Sequence, residues 1–290
     1  MTNYHKYLNI DEFDLNFGIM ALNCGHVHIK PFQSYPPEKH PKGYSFSWER
    51  GRILDSYQLL YITHGQGVFE SDRLPQTEVK AGDLFMLFPN QWHRYKPDKK
   101  TGWEEYWIGF QGFYVEKLIK IGVISIDKPV WSLGKDETML HLYLDLINSI
   151  KDASKDYKIT IASKIQLILN WLLVKSKSHP DVVDRETEMI EDAKFLMAER
   201  IEDNLPIEEF AKMLNIGYSI FRRRFKEQMG VSPGHYYSKI RIEKARWLLT
   251  STNLTISEIS EALGFESVSH FSKLFKQRIG TPPAQLRKSV

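Results

Sequence analysis

The chain has 290 residues and a mass of 34.0 kDa, which is room for two domains that each bury a core. With 42% hydrophobic and 26% charged residues the composition is that of a soluble globular protein, and it excludes wholesale disorder. No apolar run approaches twenty residues, which excludes a helical membrane span. The net charge of +3 argues on its own against a nucleic-acid partner, but that charge is unevenly spread. Residues 1–180 are near neutral, residues 181–210 carry 3 basic against 11 acidic side chains, and residues 211–290 carry 14 against 5. A basic module of about eighty residues therefore closes the chain, the electrostatic footprint of a phosphate-binding surface.

The start, Met1 to Leu15, holds acidic residues and no apolar stretch, so no secretory leader is expected. The one cysteine, Cys24, cannot form an internal disulfide and fits a reducing cytoplasm. The first third reads as strands. Tyr57–Thr63, Leu84–Phe88 and Glu104–Phe110 are short aromatic and β-favouring runs, separated by turn chemistry at His64–Gly67, Ala81–Asp83, Pro89-Asn90 and Lys100–Gly102. Such spacing predicts a small antiparallel barrel or sandwich. Alternation puts Trp103, Glu105 and Trp107 on one strand face and Tyr106, Ile108 and Phe110 on the other. By the same rule His93 and Tyr95 share a face, as do Phe46, Trp48 and Arg50. Aromatic faces stack on the C–H face of a sugar, while Glu, Arg, His and Tyr give directional hydrogen bonds, so these residues suit a small polar ligand.

From Tyr114 the period becomes helical. Ile161, Ile165, Ile168 and Leu172 form a seam within 156–175 that suits packing inside the chain or pairing between two subunits. Residues 177–188 are polar, contain a proline and read as a linker. This divides the chain into a first domain at 1–176, expected to bind the small ligand and to be the one that dimerises if the seam pairs two subunits, and a second domain at 189–290.

The second domain contains a repeat near fifty residues. Phe210, Ala211 and Leu214 align with Ile259, Ser260 and Leu263 at an offset of 49, whereas Phe221, Phe225, Lys226 and Gly230 align with Phe271, Phe275, Lys276 and Gly280 at 50. The one-residue slip falls between two helices of each copy, where a turn absorbs it. Each copy reads as helix, short turn, helix, at about 206–227 and 255–277, with Thr255 or Ser257 capping the second copy. The faces turned away from the phenylalanines carry Ser219, Arg222, Arg223 and Lys226 in one copy and Ser269, His270, Lys273 and Lys276 in the other. Arginine binds guanine in the major groove, Ser and His are adaptable contacts, and Lys226 and Lys276 suit phosphate. Between the copies, Pro233–Thr250 is long enough for one helix of about 27 Å, a spacer suited to successive major grooves.

Ser232-Pro233, Arg241-Ile242 with Ala245 and Leu248-Leu249, Ile256 with Ile259 and Gly264-Phe265, and Ser269 with Phe271, Phe275-Lys276, Gly280 and Pro282 together resemble the AraC/XylS transcription regulators over about residues 185–290. One departure is Arg224, where that family usually has an apolar residue. Gly65–Val68, Ala81–Leu84, Phe88-Pro89, His93 with Tyr95, and Trp103 with Trp107 resemble the arabinose-type sensor of the same family over about residues 20–175. The resemblance implies an α+β chain of two domains, a cupin-like antiparallel β-barrel with dimerisation helices followed by an all-α domain with two helix-turn-helix motifs. It also places Arg50, Tyr95, Glu105 and Trp107 near sugar-contacting positions, with the Glu105 carboxylate replacing an imidazole. The partners it implies are promoter DNA, a small effector such as a sugar, a second copy of the chain and RNA polymerase.

Two other classes compete with this reading. Cupin barrels often hold a catalytic metal, and His26-x-His28 with His93 could start such a set. The pair lies far upstream of the Gly65 turn and the usual carboxylate after it is missing, so neither a metal nor a cofactor is expected. A helical adaptor that does not bind DNA would explain the tail but not the two basic faces. No Ser/His/Asp or Cys/His arrangement and no phosphate-cradling glycine loop is evident, so the expectation is a regulator, not an enzyme.

Overall fold

The computed structural model describes residues 3–9, 18–36, 47–152, 157–177 and 185–288. The chain divides into two compact units, one before and one after residue 180. Phe46 lies outside the described residues, as does most of the span read as a linker.

Among the described residues the first unit is built on nine strands, all paired antiparallel: β1 Tyr4–Tyr7, β2 Met20–Ile29, β3 Arg52–Ile53, β4 Tyr57–Ser71, β5 Leu74–Lys80, β6 Asp83–Leu87, β7 Trp92–Pro97, β8 Trp103–Gln111 and β9 Val130–Ser132. One sheet runs β1-β2-β8-β4-β6-β9, and the far half of β4 pairs with β5 and β7, β7 in turn with β3. Two antiparallel layers therefore share β4, a cupin-like arrangement whose ladders do not run into a closed ring among the described residues.

The predicted turn at His64–Gly67 is instead the bend of this long strand. Gly65 takes φ +74°, the β4–β8 register slips between Ile62 and His64, and the strand passes from one layer to the other. A side chain at Gly65 would also meet the Gly102 carbonyl, at 2.1 Å. A glycine at a bulge turns a strand without ending it.

Val27, Ile29, Leu60, Ile62, Phe69, Val79, Phe85, Leu87, Tyr95 and Trp103 form one buried cluster between the layers. The opposite face of the first sheet is covered by two helices, α2 (Glu137–Asp152) and α3 (Tyr157–Lys177), which follow the short α1 (Phe113–Lys120). Tyr143 of α2 packs on Tyr61 and Tyr106 and donates to the Leu59 carbonyl at 3.1 Å. Ile161, Ile165, Ile168 and Leu172 are all buried, so the seam of α3 is consumed inside the unit. The apolar residues that α3 exposes are Ile159, Leu167 and Val174.

The second unit is all helix: α4 Arg185–Glu199, α5 Ile207–Met213, α6 Tyr218–Met229, α7 Pro233–Ser251, α8 Ile256–Ala262, α9 Val268–Ile279 and α10 Pro283–Lys288. α4 begins inside the stretch read as a linker, because Met189, Ile190, Ala193 and Leu196 give it an apolar face against Phe210, Phe221 and Phe225. The two repeats close identically. Leu214, Asn215 and Ile216 donate to Phe210, Lys212 and Ala211, and Leu263, Gly264 and Phe265 donate to Ile259, Glu261 and Ser260. Asn215 (φ +54°) and Gly264 (φ +63°) supply the left-handed residue of each turn. The second turn is one residue longer, 263–267 against 214–217, which accounts for the slip in the repeat. Thr255, not Ser257, caps α8, in a reciprocal pairing with Glu258.

Candidate effector and nucleic-acid sites

Inward-facing positions of β3, β7 and β8 gather the polar groups of the first unit. Arg52 Nη2 donates to the Tyr95 hydroxyl at 2.7 Å and its Nε donates to His93 Nε2 at 3.2 Å. With Nε2 accepting, the His93 proton sits on Nδ1, 3.1 Å from the Gln91 carbonyl that receives it. Burial, then the Arg52 charge, pulls the His93 pKa down to about 3, so the ring is neutral. Glu105 stands opposite in chemistry. Burial pushes its pKa up to about 8, an effect that Arg52 and a hydrogen bond from Tyr35 only partly offset. It is therefore a protonated acid at neutral pH, and its Oε2 has no hydrogen-bond partner among the described residues. Two positions before it, Trp103 is buried with its indole Nε1 equally unpartnered.

The walls follow from two glycines. Trp107 lies across Gly25, its cross-strand partner, where an added Cβ would sit 2.2 Å from the indole. Trp103 lies over Gly67 in the same way, at 2.7 Å. Tyr35 meets Trp103 edge-on at 5.9 Å, and Tyr95 packs on Trp103 at 6.1 Å. The result is an apolar, aromatic interior with a few converging donors and acceptors, the common pattern of small-ligand sites.

Of the predicted ligand residues, His93, Tyr95, Trp103, Glu105 and Trp107 come together here. Trp48 and Arg50 do not. Residues 48–50 form a turn closed by Gly51 (φ +64°), so strand alternation does not apply to them. Trp48 instead lies under Arg94 and Lys96, at 4.3 and 4.0 Å from their charged groups, and Arg50 is exposed. Arg52 and Tyr35 occupy the interior instead, and the Arg-Gly step at 50–51 is the signal that could have moved the assignment. The His26–His28 pair points to the opposite face of β2 from Gly25, Val27 and Ile29, away from His93. His26 Nε2 lies 2.7 Å from Glu104 Oε1 there. The three imidazoles considered as a metal set therefore do not converge.

In the second unit all eight predicted DNA-facing residues are exposed: Ser219, Arg222, Arg223, Lys226, Ser269, His270, Lys273 and Lys276. Phe221 and Phe225 of α6, and Phe271 and Phe275 of α9, are fully buried and fix each helix's rotation. At 100° per residue Ser219, Arg223 and Lys226 lie near the centre of the opposite face, with Arg222 on its flank. Arg223 Nη1 stands 3.6 Å from Glu227 Oε1. Arg224 is half-buried beside the core. Both helices end on a left-handed glycine, Gly230 and Gly280, before a proline starts the next helix. α7 spans 19 residues, about 28 Å.

Two helix-turn-helix units on one basic helical domain, joined to a β domain whose apolar, aromatic interior holds a few converging polar groups, define a ligand-responsive DNA-binding transcription regulator. Residues 31–168 match the AraC-like ligand binding domain and residues 210–289 match a helix-turn-helix domain. The chain belongs to the AraC/XylS family of regulators, and it is not an enzyme. It is similar to the raffinose operon transcriptional regulatory protein RafR of Pediococcus pentosaceus, 25% identical over 85% of this chain and 90% of that one. The Msm operon regulatory protein of Streptococcus mutans is 26% identical over 98% of both chains. The lactose operon transcription activator of Staphylococcus xylosus is 26% identical over 84% of this chain and 86% of its own. No helix among the described residues is long and apolar enough to cross a membrane.

Proposed function

We propose that this regulator controls genes of sugar uptake or catabolism and that its effector is a sugar held between the β layers. The observation that carries the reading is the pair of unpartnered polar atoms on one inward strand face, Glu105 Oε2 and Trp103 Nε1, beside the Trp107 ring. A buried group without a partner costs roughly 1–3 kcal/mol, which a ligand hydroxyl that supplies the missing bond recovers. Arg52, His93 and Tyr95 add donors and acceptors, and the tryptophans offer faces for the C–H surface of a pyranose. The raffinose and lactose operons named for two of the relatives favour the same class.

In this reading residues 1–176 sense the effector and 189–290 bind promoter DNA, with 177–188 between them, in the cytoplasm. Ser219, Arg222, Arg223, Ser269, His270 and Lys273 face the bases while Lys226 and Lys276 hold phosphates. The length of α7 sets the two recognition helices into successive major grooves. The regulator works as a homodimer through the exposed Ile159, Leu167 and Val174 side of α3, and it acts on RNA polymerase at the promoter. The deciding experiment is a thermal-shift screen of the full chain against pentoses, hexoses, α- and β-galactosides, deoxysugars and uronates. A binding sugar raises the transition of the first unit by mass action, and the rise disappears in Glu105→Ala. A flat response across the panel rejects the sugar and leaves the DNA assignment standing.

A further inference from the structure

The two recognition helices share a frame but not a face. Counting 100° per residue from the buried phenylalanines, the side farthest from the core carries Ser219, Ile220, Arg223, Lys226 and Glu227 in α6. The same five places in α9 hold Ser269, His270, Lys273, Lys276 and Gln277. Nine of these ten are polar or charged. Ile220 is not, and it is 46% exposed. A single apolar residue on a surface is ordinary. This one stands between Ser219 and the Arg222-Arg223 pair, in the first turn of the helix, the part of a recognition helix that reaches base edges. Tyr218 and Val268 are exposed too, but they fall about 140° from the centre of the face and point along the groove edge.

An isoleucine side chain neither donates nor accepts a hydrogen bond. The one apolar group that the major groove presents is the 5-methyl of thymine. Arg222 and Arg223, which follow it on the exposed side of the helix, commit this face to duplex DNA and not to an apolar protein partner. Ile220 precedes Arg223 by three residues, about 4.5 Å along the helix, or one to two base-pair steps of about 3.4 Å. Glu227 lies beyond Arg223 and keeps the guanidinium on the same line.

We propose that Ile220 is a specificity-determining residue that packs on a thymine methyl one or two base pairs from the base contacted by Arg223. The half-site under α6 requires that thymine, and the half-site under α9 does not, because His270 holds the matching place. The proposal rests on the DNA-facing assignment of α6 and α9 made above.

The test starts by selecting duplexes from a randomised library with the full chain. Each thymine of the best duplex is then replaced by deoxyuridine, which removes only the methyl group. One thymine, in the half-site whose recognition changes with Arg223→Ala, is expected to cost wild type about fourfold in Kd when its methyl is removed. Ile220→Ala shows the same loss on the parent duplex and no further loss on that deoxyuridine duplex, while Ile220→Val keeps the wild-type profile. Circular dichroism melting of Ile220→Ala confirms an intact fold. The proposal is overturned if Ile220→Ala retains the wild-type deoxyuridine profile, or if it weakens every duplex by one common factor. If wild type prefers no duplex and its binding is insensitive to salt, the DNA-facing assignment itself falls, and this proposal with it.

Discussion

Glu105 makes the stability of the sensing domain depend on pH in a direction opposite to that of most carboxylates. Its pKa rises from the ordinary 4.5 to about 8 because it is buried, so the native state holds a proton that the unfolded chain has released. Stability is then fully present below about pH 4.5 and is lost as pH rises through about 8. His93 works in a separate window. Its pKa is lowered to about 3, so its contribution is present above 6.5 and lost as pH falls. Between pH 6.5 and 8 Glu105 therefore acts alone of the two. At 1.36 kcal/mol per unit, and allowing for its partial ionisation near pH 8, the loss is about 1.5 kcal/mol. Glu105→Gln mimics the protonated acid and should remove the slope. Urea denaturation followed by tryptophan fluorescence measures it, because all seven tryptophans except Trp247 precede residue 180. The expected result is a gap between Glu105→Gln and wild type that widens by about 1.5 kcal/mol from pH 6.5 to 8. A gap constant within about 0.5 kcal/mol would mean that the carboxyl ionises normally, and the buried-acid picture of the site would be refuted.

Gly25→Ala drives a methyl into the Trp107 indole at 2.2 Å, and overpacking of this kind costs about 1–3 kcal/mol; an unchanged urea midpoint would show that Trp107 lies elsewhere. Arg223→Ala should cost ~1–3 kcal/mol on the selected duplex and relax one base position, whereas Lys276→Ala should weaken all sequences alike and reduce the salt slope by about 1. Equal effects of the two changes across a mutated-site panel would contradict the division into base and phosphate contacts. Leu167→Asp places a charge in the exposed stripe of α3 and should give monomers in sedimentation velocity. A dimer that survives it is held by another surface.

Much of this molecule was legible because its signals are periodic. Trp103, Glu105 and Trp107 alternate along an uninterrupted strand, so one face could be read without coordinates. The repeat was legible because both copies spend the same buried side chains on the same frame. Where a turn resets the alternation, the reading failed. Phe46, Trp48 and Arg50 keep a period of two in the sequence, yet residues 48–50 are a turn and the strand begins only at Arg52. His64–Gly67 has the residues of a turn, but Gly65 spends its freedom on a bulge inside β4. The seam of α3 could serve a core or a partner with equal right, since both bury the same stripe. Only the presence of the sheet beneath it decides. Ile220 is hidden in the sequence for a related reason, because an apolar residue next to Phe221 reads as core until the helix rotation is fixed.

The pattern of identity and difference between the two repeats is itself a functional argument. The buried places keep their apolar or small character: Phe221 with Phe271, Phe225 with Phe275, Phe210 with Ile259, and the small Ala211 with Ser260, while the half-buried Leu214 stands opposite Leu263. On the outward faces two places are identical, Ser219 with Ser269 and Lys226 with Lys276, and three differ, Ile220 against His270, Arg223 against Lys273 and Glu227 against Gln277. Phosphates are the same under any sequence, so a lysine that positions a helix can be repeated unchanged. Base edges differ from half-site to half-site, so places that differ between the copies suit residues that discriminate bases, whereas a serine, which both donates and accepts, can be repeated at either kind of contact. A tail that only needed positive charge would show no such division between the places that repeat and the places that change. Two copies that keep one frame and vary three outward positions fit the proposed reading of two different half-sites.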